Sequence, residues 1–215
     1  MSEISKFGNV FYDFLNSIKE FCIKNGIEYN FPDTPKVSYP GQEEMKVSGF
    51  FDDTPRPIIA CAIGKPEYDW AQILVHESCH MDQWMEDSEF WKAMKSGDIT
   101  ADKVMDEWLY GKDFEMKVVE ESIDTLLKLE LDCEIRSAKK IIDMNLPINI
   151  DNYVKGANAY LYFYPIMLKT RKWCDKAPYE VSDIFDVMPN TFLNAKEYYL
   201  FSSELLEIYK KECYK

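Results

Sequence analysis

A helical repeat of apolar residues over about residues 113–144 constrains the fold of this 215-residue chain more than any other feature. It ends where Asn145 and Pro147 break the pattern. The same spacing predicts helices elsewhere, with Pro165 as a candidate kink in one of them: about 4–24, 66–85, 88–96, 100–110, 150–172 and one or two more in the tail, 180–215. The chain is therefore expected to be mainly helical.

A small sheet is expected between the first two long helices. The apolar runs 47–51 and 57–63 flank the turn-forming sequence DDTPRP, which predicts a β-hairpin. Residues 25–45 are rich in Pro, Gly and Asp and predict a loop that has room for a short strand. No internal repeat or long linker occurs. We expect one α+β, mainly α, domain over residues 1–215, in which the helical part from about 146 packs on the core.

Charge, apolar runs and cysteine spacing limit which binding partners and which cellular compartment we expect. The net charge of −13 would repel nucleic acid and an anionic membrane surface. No run of 18 apolar residues occurs, and the acidic start MSEISKF does not resemble a secretory signal. The six cysteines are scattered without a CxxC pair, which predicts free buried thiols and, with the missing signal, a cytoplasmic protein.

Both histidines of the chain stand in the stretch LVHESCHM, within the helix predicted over 66–85. His76 and His80 are four residues apart, so their imidazoles lie one turn apart on one helix face and could bind one metal ion. Glu77 lies about 100° further round, where it could act as general base on a water molecule at the metal. Cys79 points elsewhere and is interpreted as a buried structural thiol. The stretch therefore predicts a metal site.

A catalytic zinc site needs a third protein ligand, and because the chain has no third histidine we expect Glu, Asp or Cys in that place. Within LELDCE of the long helix, Glu130 and Glu134 interrupt an apolar face. Burying two carboxylates one turn apart is costly unless a cation or hydrogen-bond donors compensate them. We therefore favour Glu130 as the third ligand, then Glu134, then Glu120 or Glu121. The alternative is that both carboxylates face water or pair with Lys128 and Arg136.

The combination of HESCH with the downstream Glu130-Leu-Asp-Cys-Glu134 resembles the gluzincin branch of the zincin metallopeptidases over about residues 45–145. More loosely, the chain is similar to uncharacterised phage-encoded metallopeptidases. The gluzincin resemblance implies a zincin-like fold, a Zn²⁺ cofactor held by His76, His80 and Glu130, and Glu134 as the acid that orients a ligand imidazole. Glu134 and Cys133 stand where the family usually has Asp and Ala.

The resemblance further implies hydrolysis of a peptide bond in a protein or peptide substrate, with Glu77 carrying the proton from water to the leaving amine. The hairpin at 46–63 would align the substrate as an added strand. The donor that stabilises the oxyanion stays open among several side chains: Tyr160, Tyr162, Tyr164, Arg136 and Arg171. Two other functions stay open: a zincin-like metal-binding module that binds a partner protein, and a helical protein without metal.

Overall fold

The computed structural model describes residues 4–214, apart from the side chains of residues 4–9, 42 and 43. The two ends of the predicted domain 1–215 lie outside this description. The helices are α1 (Ile4–Asn25), α2 (Glu67–Met85), α3 (Glu89–Lys95), α4 (Ala101–Leu109), α5 (Met116–Asp143), α6 (Ile150–Thr170), α7 (Ser182–Phe185) and α8 (Ser203–Cys213). The strands are β1 (Glu28–Asn30), β2 (Val37–Tyr39), β3 (Gln42–Val47), β4 (Gly49–Asp52) and β5 (Ile58–Cys61).

The described part of the chain is mainly helical with a small sheet, which confirms the predicted fold class at that level. Each predicted helix is present within about three residues of its expected ends. Local chemistry explains several ends. The Asn149 side chain accepts from the backbone N–H of Asn152 at 2.9 Å and caps α6, and Pro66 precedes the first turn of α2. Pro165 lies inside α6, as the sequence predicted.

The strands form two small sheets. One has the order β1-β5-β4, in which β4 is antiparallel to β5 with Gly49 opposite Cys61, so the predicted hairpin is confirmed. The other pairs β2 with β3 in antiparallel fashion. The prediction of a loop over 25–45 was wrong in part, because β1, β2 and most of β3 lie there. Their short polar sequences, EYN and QEEMKV, lack the apolar alternation from which strands are recognised.

The chain forms two compact units. The first contains α1, the five strands and α2 as far as Glu86, together with Arg136–Ile148. The second contains Asp87–Ile135 and the chain from Asn149 onwards. The division passes through α5, which is one uninterrupted helix. The organisation as a single domain stays a prediction.

Each unit has a buried centre that includes aromatic side chains. In the first, Trp70 of α2 is fully buried and its ring meets that of Phe11 edge-on at 6.2 Å between centroids. In the second, Asn158 of α6 is fully buried, donates to the backbone oxygens of Pro189 and Thr191, and accepts from the Tyr198 hydroxyl. This network satisfies the buried amide and fastens the segment after α7 to α6.

All six cysteines are free thiols, as predicted, and all but Cys174 are buried. Within residues 4–214, no helix combines the length and the apolar character that crossing a membrane requires.

Candidate metal centre

The two histidines of α2 meet at their Nε2 atoms. These nitrogens lie 3.1 Å apart, and the imidazole rings are nearly perpendicular, with centroids 4.7 Å apart. A tetrahedral zinc ion with bonds of 2.0–2.1 Å holds two ligand nitrogens about 3.3 Å apart. The arrangement of His76 and His80 therefore suits two ligands of one ion, and His80 is buried while His76 is partly exposed.

Gln83 fixes the orientation of one of these rings. Its side-chain oxygen accepts a hydrogen bond from Nδ1 of His80 at 2.9 Å, and Gln83 is fully buried. With the proton on Nδ1, a neutral His80 presents the lone pair of Nε2 toward His76. Ligand histidines in metal sites are commonly held through their other nitrogen in this way. The sequence analysis missed Gln83, although its position one turn after His80 was a usable signal.

Glu77 lies against the sheet where β4 begins. A Cβ added to Gly49 would be 3.1 Å from Cγ of Glu77, 2.6 Å from Cγ2 of Ile73 and 2.9 Å from the backbone oxygen of Ala60. Only a residue without a side chain allows the strand to approach α2 this closely. The side chain of Glu77, one residue round the helix from the histidine face, is thereby placed beside the edge strand.

The Glu77 carboxylate affects the pKa of the Cys61 thiol. Cys61 is fully buried on β5 and donates to the backbone oxygen of Trp70 at 3.4 Å. Burial raises the pKa of this thiol far above its usual value; the Glu77 carboxylate raises it further, and Lys65 lowers it. The thiol is therefore protonated at neutral pH, and both a carboxylate and an ammonium group act on this end of the hairpin.

Strand β4 runs alongside α2 in the same direction. Gly49 lies at the level of Glu77, and two residues later the ring of Phe51 packs on Trp84, with centroids 5.6 Å apart. β4 is also the edge of its three-stranded sheet within the described chain. The edge strand therefore follows the turns of the helix that carry His80 and Glu77.

The C-terminal half of α5 is bonded to α2 in the first unit. Lys140 donates to Oγ of Ser78 at 2.8 Å and to Oδ2 of Asp82 at 2.6 Å. One turn earlier, Arg136 donates to the Glu86 carboxylate at 2.7 Å. These contacts fix how this part of α5 is aligned along α2. Because Ser78 and Asp82 lie on either side of His80 in the sequence, the alignment is fixed at the level of that histidine.

Cys133 of α5 is a candidate for the third donor. His76, His80 and Cys133 form a group that could hold a metal ion, since their ligand atoms all lie within 4.8 Å of one another. The thiol is buried and stands on the helix turn that precedes Arg136. Two imidazoles and a thiolate are a donor set that suits zinc. Cysteine was among the expected types of third ligand, but the sequence did not single out Cys133, because a single cysteine without a CxxC partner carries no spacing signature.

Glu130, the predicted third ligand, is not a member of that group. Its Oε2 atom is buried, and its carboxylate makes a hydrogen bond with the hydroxyl of Tyr164. Burial and the charge of Glu130 hold the pKa of Tyr164 well above its usual value, and Tyr160 acts in the same direction. The role of Glu130 as a ligand stays a prediction.

Glu134 is buried, as the apolar face of α5 predicted, and accepts a hydrogen bond from the Tyr153 hydroxyl at 2.6 Å. Tyrosines of α6 therefore contact both carboxylates that the sequence singled out. The predicted role of Glu134 as the acid that orients an imidazole stays a prediction, while Gln83 makes that kind of contact with His80.

The other residues singled out from the sequence differ in their burial and in their contacts. Glu120 and Glu121 are exposed, and Cys79 is a buried thiol, as interpreted from the sequence. Arg171 stacks over Trp108 and donates to the backbone oxygens of Trp108 and Lys112, so its guanidinium closes the end of α4. The oxyanion donor stays open.

No protein-family model, no curated protein and no solved structure matches this chain.

Proposed function

We propose that this protein is a zinc-dependent metallopeptidase with a zincin-like fold. The observation that carries the proposal is the convergence of Nε2 of His76 and Nε2 of His80, 3.1 Å apart, on the helix that also places Glu77 beside an edge strand. His76, His80 and Cys133 could hold a metal ion, because their donor atoms all lie within 4.8 Å of one another.

The ligand set proposed for zinc is His76, His80 and a third group from the 130–134 turn of α5. Cys133 has its donor atom within 4.8 Å of the ligand atoms of both histidines, and Glu130 is the ligand that the gluzincin resemblance implies. A zinc ion bound there supplies a Lewis acid that polarises a carbonyl group and makes water more acidic. Gln83 holds the proton on Nδ1 of His80, which keeps Nε2 available as a ligand atom.

Glu77 is proposed as the general base and then the general acid. Its carboxylate takes a proton from the attacking water, whose oxygen forms the new bond to the carbonyl carbon. The carbon–nitrogen bond then breaks, and Glu77 passes the proton to the departing amine. Glu77 is suited to this exchange because it is only partly buried, at the edge of the strand.

Strand β4 is proposed as the template for the substrate. An extended peptide that pairs with its open edge would lie along the turns of α2 from Trp84 to Glu77. Main-chain hydrogen bonds would then position the scissile bond independently of the side chains of the peptide. The substrate class is accordingly a peptide or an unfolded segment of a protein.

The test combines metal analysis with a cleavage assay. The purified protein is supplemented with zinc, dialysed and analysed for bound metal, then incubated with a peptide library whose products are read by mass spectrometry. We expect one zinc per chain and cleavage products that disappear in Glu77→Gln, which keeps its zinc. Stoichiometric zinc without cleavage would leave a metal-binding module, and absence of zinc would overturn the proposal.

A further inference from the structure

Two cysteines of the second unit meet at the end of α8. The backbone N–H of Asp175 donates to the backbone oxygen of Cys213 at 2.8 Å, and the backbone nitrogen of Lys176 lies 3.4 Å from the same oxygen. Cys174 directly precedes these donors, shortly after the end of α6, and Cys213 is the last residue of α8. The C-terminal helix is therefore fastened to the segment after α6 at the level of the two cysteines.

The backbone hydrogen bond limits the separation of the two α-carbons. In a trans peptide, the Cα atom of the preceding residue lies on the same side of the bond as the N–H group. The bond from Asp175 to Cys213 therefore brings Cα of Cys174 to about 6 Å or less from Cα of Cys213. Disulfides usually span about 4.4–6.8 Å between their α-carbons. The main chain thus already holds the separation that a disulfide between these residues requires.

The side chains of the two cysteines are also close to each other. Burial raises the pKa of Cys174 to about 12, and the neighbouring thiol of Cys213 contributes to the rise. Burial raises the pKa of Cys213 to about 11. Burial also holds the pKa of Tyr209 well above its usual value, and both thiols act in the same direction. Each thiol is therefore within electrostatic range of the other and of the same tyrosine hydroxyl.

The two thiols differ in their access to solvent. Cys174 is partly exposed, whereas Cys213 is fully buried. A dissolved oxidant therefore reaches Cys174 first, and Cys213 is placed to react with the product rather than with the oxidant. Because both thiols are protonated at neutral pH, the first step is slow. Because thiols of high pKa are poor leaving groups, a disulfide between them resists reduction once it has formed.

We propose that Cys174 and Cys213 are a modification site, at which a small-molecule disulfide such as oxidised glutathione converts the two thiols into one intramolecular disulfide. Cys174, as its thiolate, attacks one sulfur of the oxidant, forms a mixed disulfide and releases one glutathione. The sulfur of Cys213 then loses its proton and attacks the sulfur of Cys174, and the second glutathione leaves and takes up a proton. Two thiols of the protein are oxidised, and one disulfide of the oxidant is reduced to two thiols.

The cross-link acts on the segment that packs against α6. It closes a loop of about 40 residues, from Cys174 to Cys213, which includes α7 and α8. The same segment is bonded to α6 through Asn158, which donates to the backbone oxygens of Pro189 and Thr191. Closing the loop reduces the freedom of the unfolded chain, so oxidation should stabilise the folded second unit. The inference does not depend on the peptidase assignment.

The experiment treats the native, fully reduced protein with an excess of oxidised glutathione in a mildly alkaline buffer. Remaining thiols are then blocked with iodoacetamide, and tryptic peptides are analysed by mass spectrometry without reduction. Trypsin releases Cys174 in WCDK and Cys213 in ECYK, and each peptide has one cysteine. We expect a disulfide to join these two peptides. The melting temperature should rise by about 4 °C or more on oxidation and return after treatment with dithiothreitol.

Variants separate the two steps of the reaction. Cys213→Ser should keep glutathione bound to Cys174, because the thiol that displaces it is missing. Cys174→Ser should carry no adduct at Cys213, since that thiol is fully buried. Cys22→Ser is the matched control, because Cys22 is a fully buried thiol of the first unit, and this variant should form the linked peptides as the parent does. Circular dichroism verifies that all variants are folded.

The duration of the incubation is set by Cys213→Ser, in which glutathione should accumulate on Cys174. Absence of this adduct overturns the proposal, because Cys174 is then closed to the oxidant. In the parent protein, separately alkylated WCDK and ECYK, a lasting glutathione adduct on Cys174, or a disulfide between two chains overturns it as well. None of these results involves zinc or peptide cleavage, so they leave the proposed function untouched.

Discussion

The side-chain oxygen of Gln83 accepts a hydrogen bond from Nδ1 of His80, three residues before it on α2, at 2.9 Å. One helix thus carries both a candidate metal ligand and the group that orients it. Because Gln83 is fully buried, water cannot replace this contact easily when it is lost.

Replacing Gln83 with Leu should lower the affinity for zinc about 10–100-fold, the usual cost of losing a partner of a ligand histidine. Competition with a chromophoric chelator measures the affinity. Gln83→Glu keeps an acceptor and should recover much of it. Gln72→Leu is the matched control on the same helix, since Gln72 bonds only to the backbone oxygen of Tyr68 among the hydrogen bonds described for it. An unchanged affinity in Gln83→Leu would contradict the positioning role.

The identity of the third ligand can be read from cobalt spectra. We expect the Co²⁺-substituted protein to show a thiolate-to-cobalt charge-transfer band in the near ultraviolet that is absent in Cys133→Ser, because the Cys133 thiol lies within 4.8 Å of both imidazoles. Glu130→Gln should keep the band. The opposite pattern, with no band in the parent and loss of metal in Glu130→Gln, would assign the site to Glu130.

Two consecutive lysines on α5 should differ in their effect on stability. Lys140 is bonded to Ser78 and Asp82 with a side chain only 19% exposed, whereas Lys139 pairs with Asp143 on the surface and is 74% exposed. Lys140→Met should lower the free energy of unfolding by about 1–3 kcal/mol, since it removes hydrogen bonds of a charged group. Lys139→Met should cost about 0.5 kcal/mol or less. Urea denaturation compares them, and equal effects would refute the role of Lys140 in joining α2 to α5.

The close approach of β4 to α2 predicts opposite outcomes for two Gly→Ala changes. At Gly49, the added Cβ would be 2.6 Å from Ile73 and 2.9 Å from a backbone oxygen, so Gly49→Ala should destabilise by about 1–3 kcal/mol and lower peptidase activity by displacing Glu77. At Gly156, inside α6, the nearest atom is at 3.6 Å, so Gly156→Ala should stabilise by about 0.4–1 kcal/mol. Thermal unfolding and an activity assay measure both. An unchanged stability in Gly49→Ala would show that β4 does not approach α2 this closely.

Buried thiols predict loss of stability in alkali. Burial raises the pKa of Cys22 from 9.0 to about 11. The folded protein therefore keeps a proton that the unfolded chain releases above about pH 9, so the stabilising contribution is complete below that pH and is lost between about pH 9 and 11. The urea midpoint should fall over this interval, and less steeply in Cys22→Ala. An identical slope in the variant would show that Cys22 does not contribute.

The helical framework could be predicted because its signals are local. Apolar spacing predicts α2 and α5 within a few residues of their ends, and the spacing of four residues places His76 and His80 on one helix face. The hairpin β4–β5 could be predicted equally well, since both strands are apolar and a turn sequence separates them.

The contacts that complete the site could not be predicted in the same way. Cys133 can join the two histidines as a candidate ligand although it lies more than fifty residues further along the chain, and no local spacing signals that grouping. Packing between elements, rather than local propensity, decides such pairings.

The meeting of His76 with His80 has a practical consequence for spectroscopy. They are all the histidines that the chain contains. Every imidazole resonance in a nuclear magnetic resonance spectrum of this protein therefore originates within one turn of α2, without any selective label. Titration with a diamagnetic ion such as Zn²⁺ would be visible in two spin systems that no other histidine can obscure, and the protein carries its own reporter for the chemistry of its candidate site.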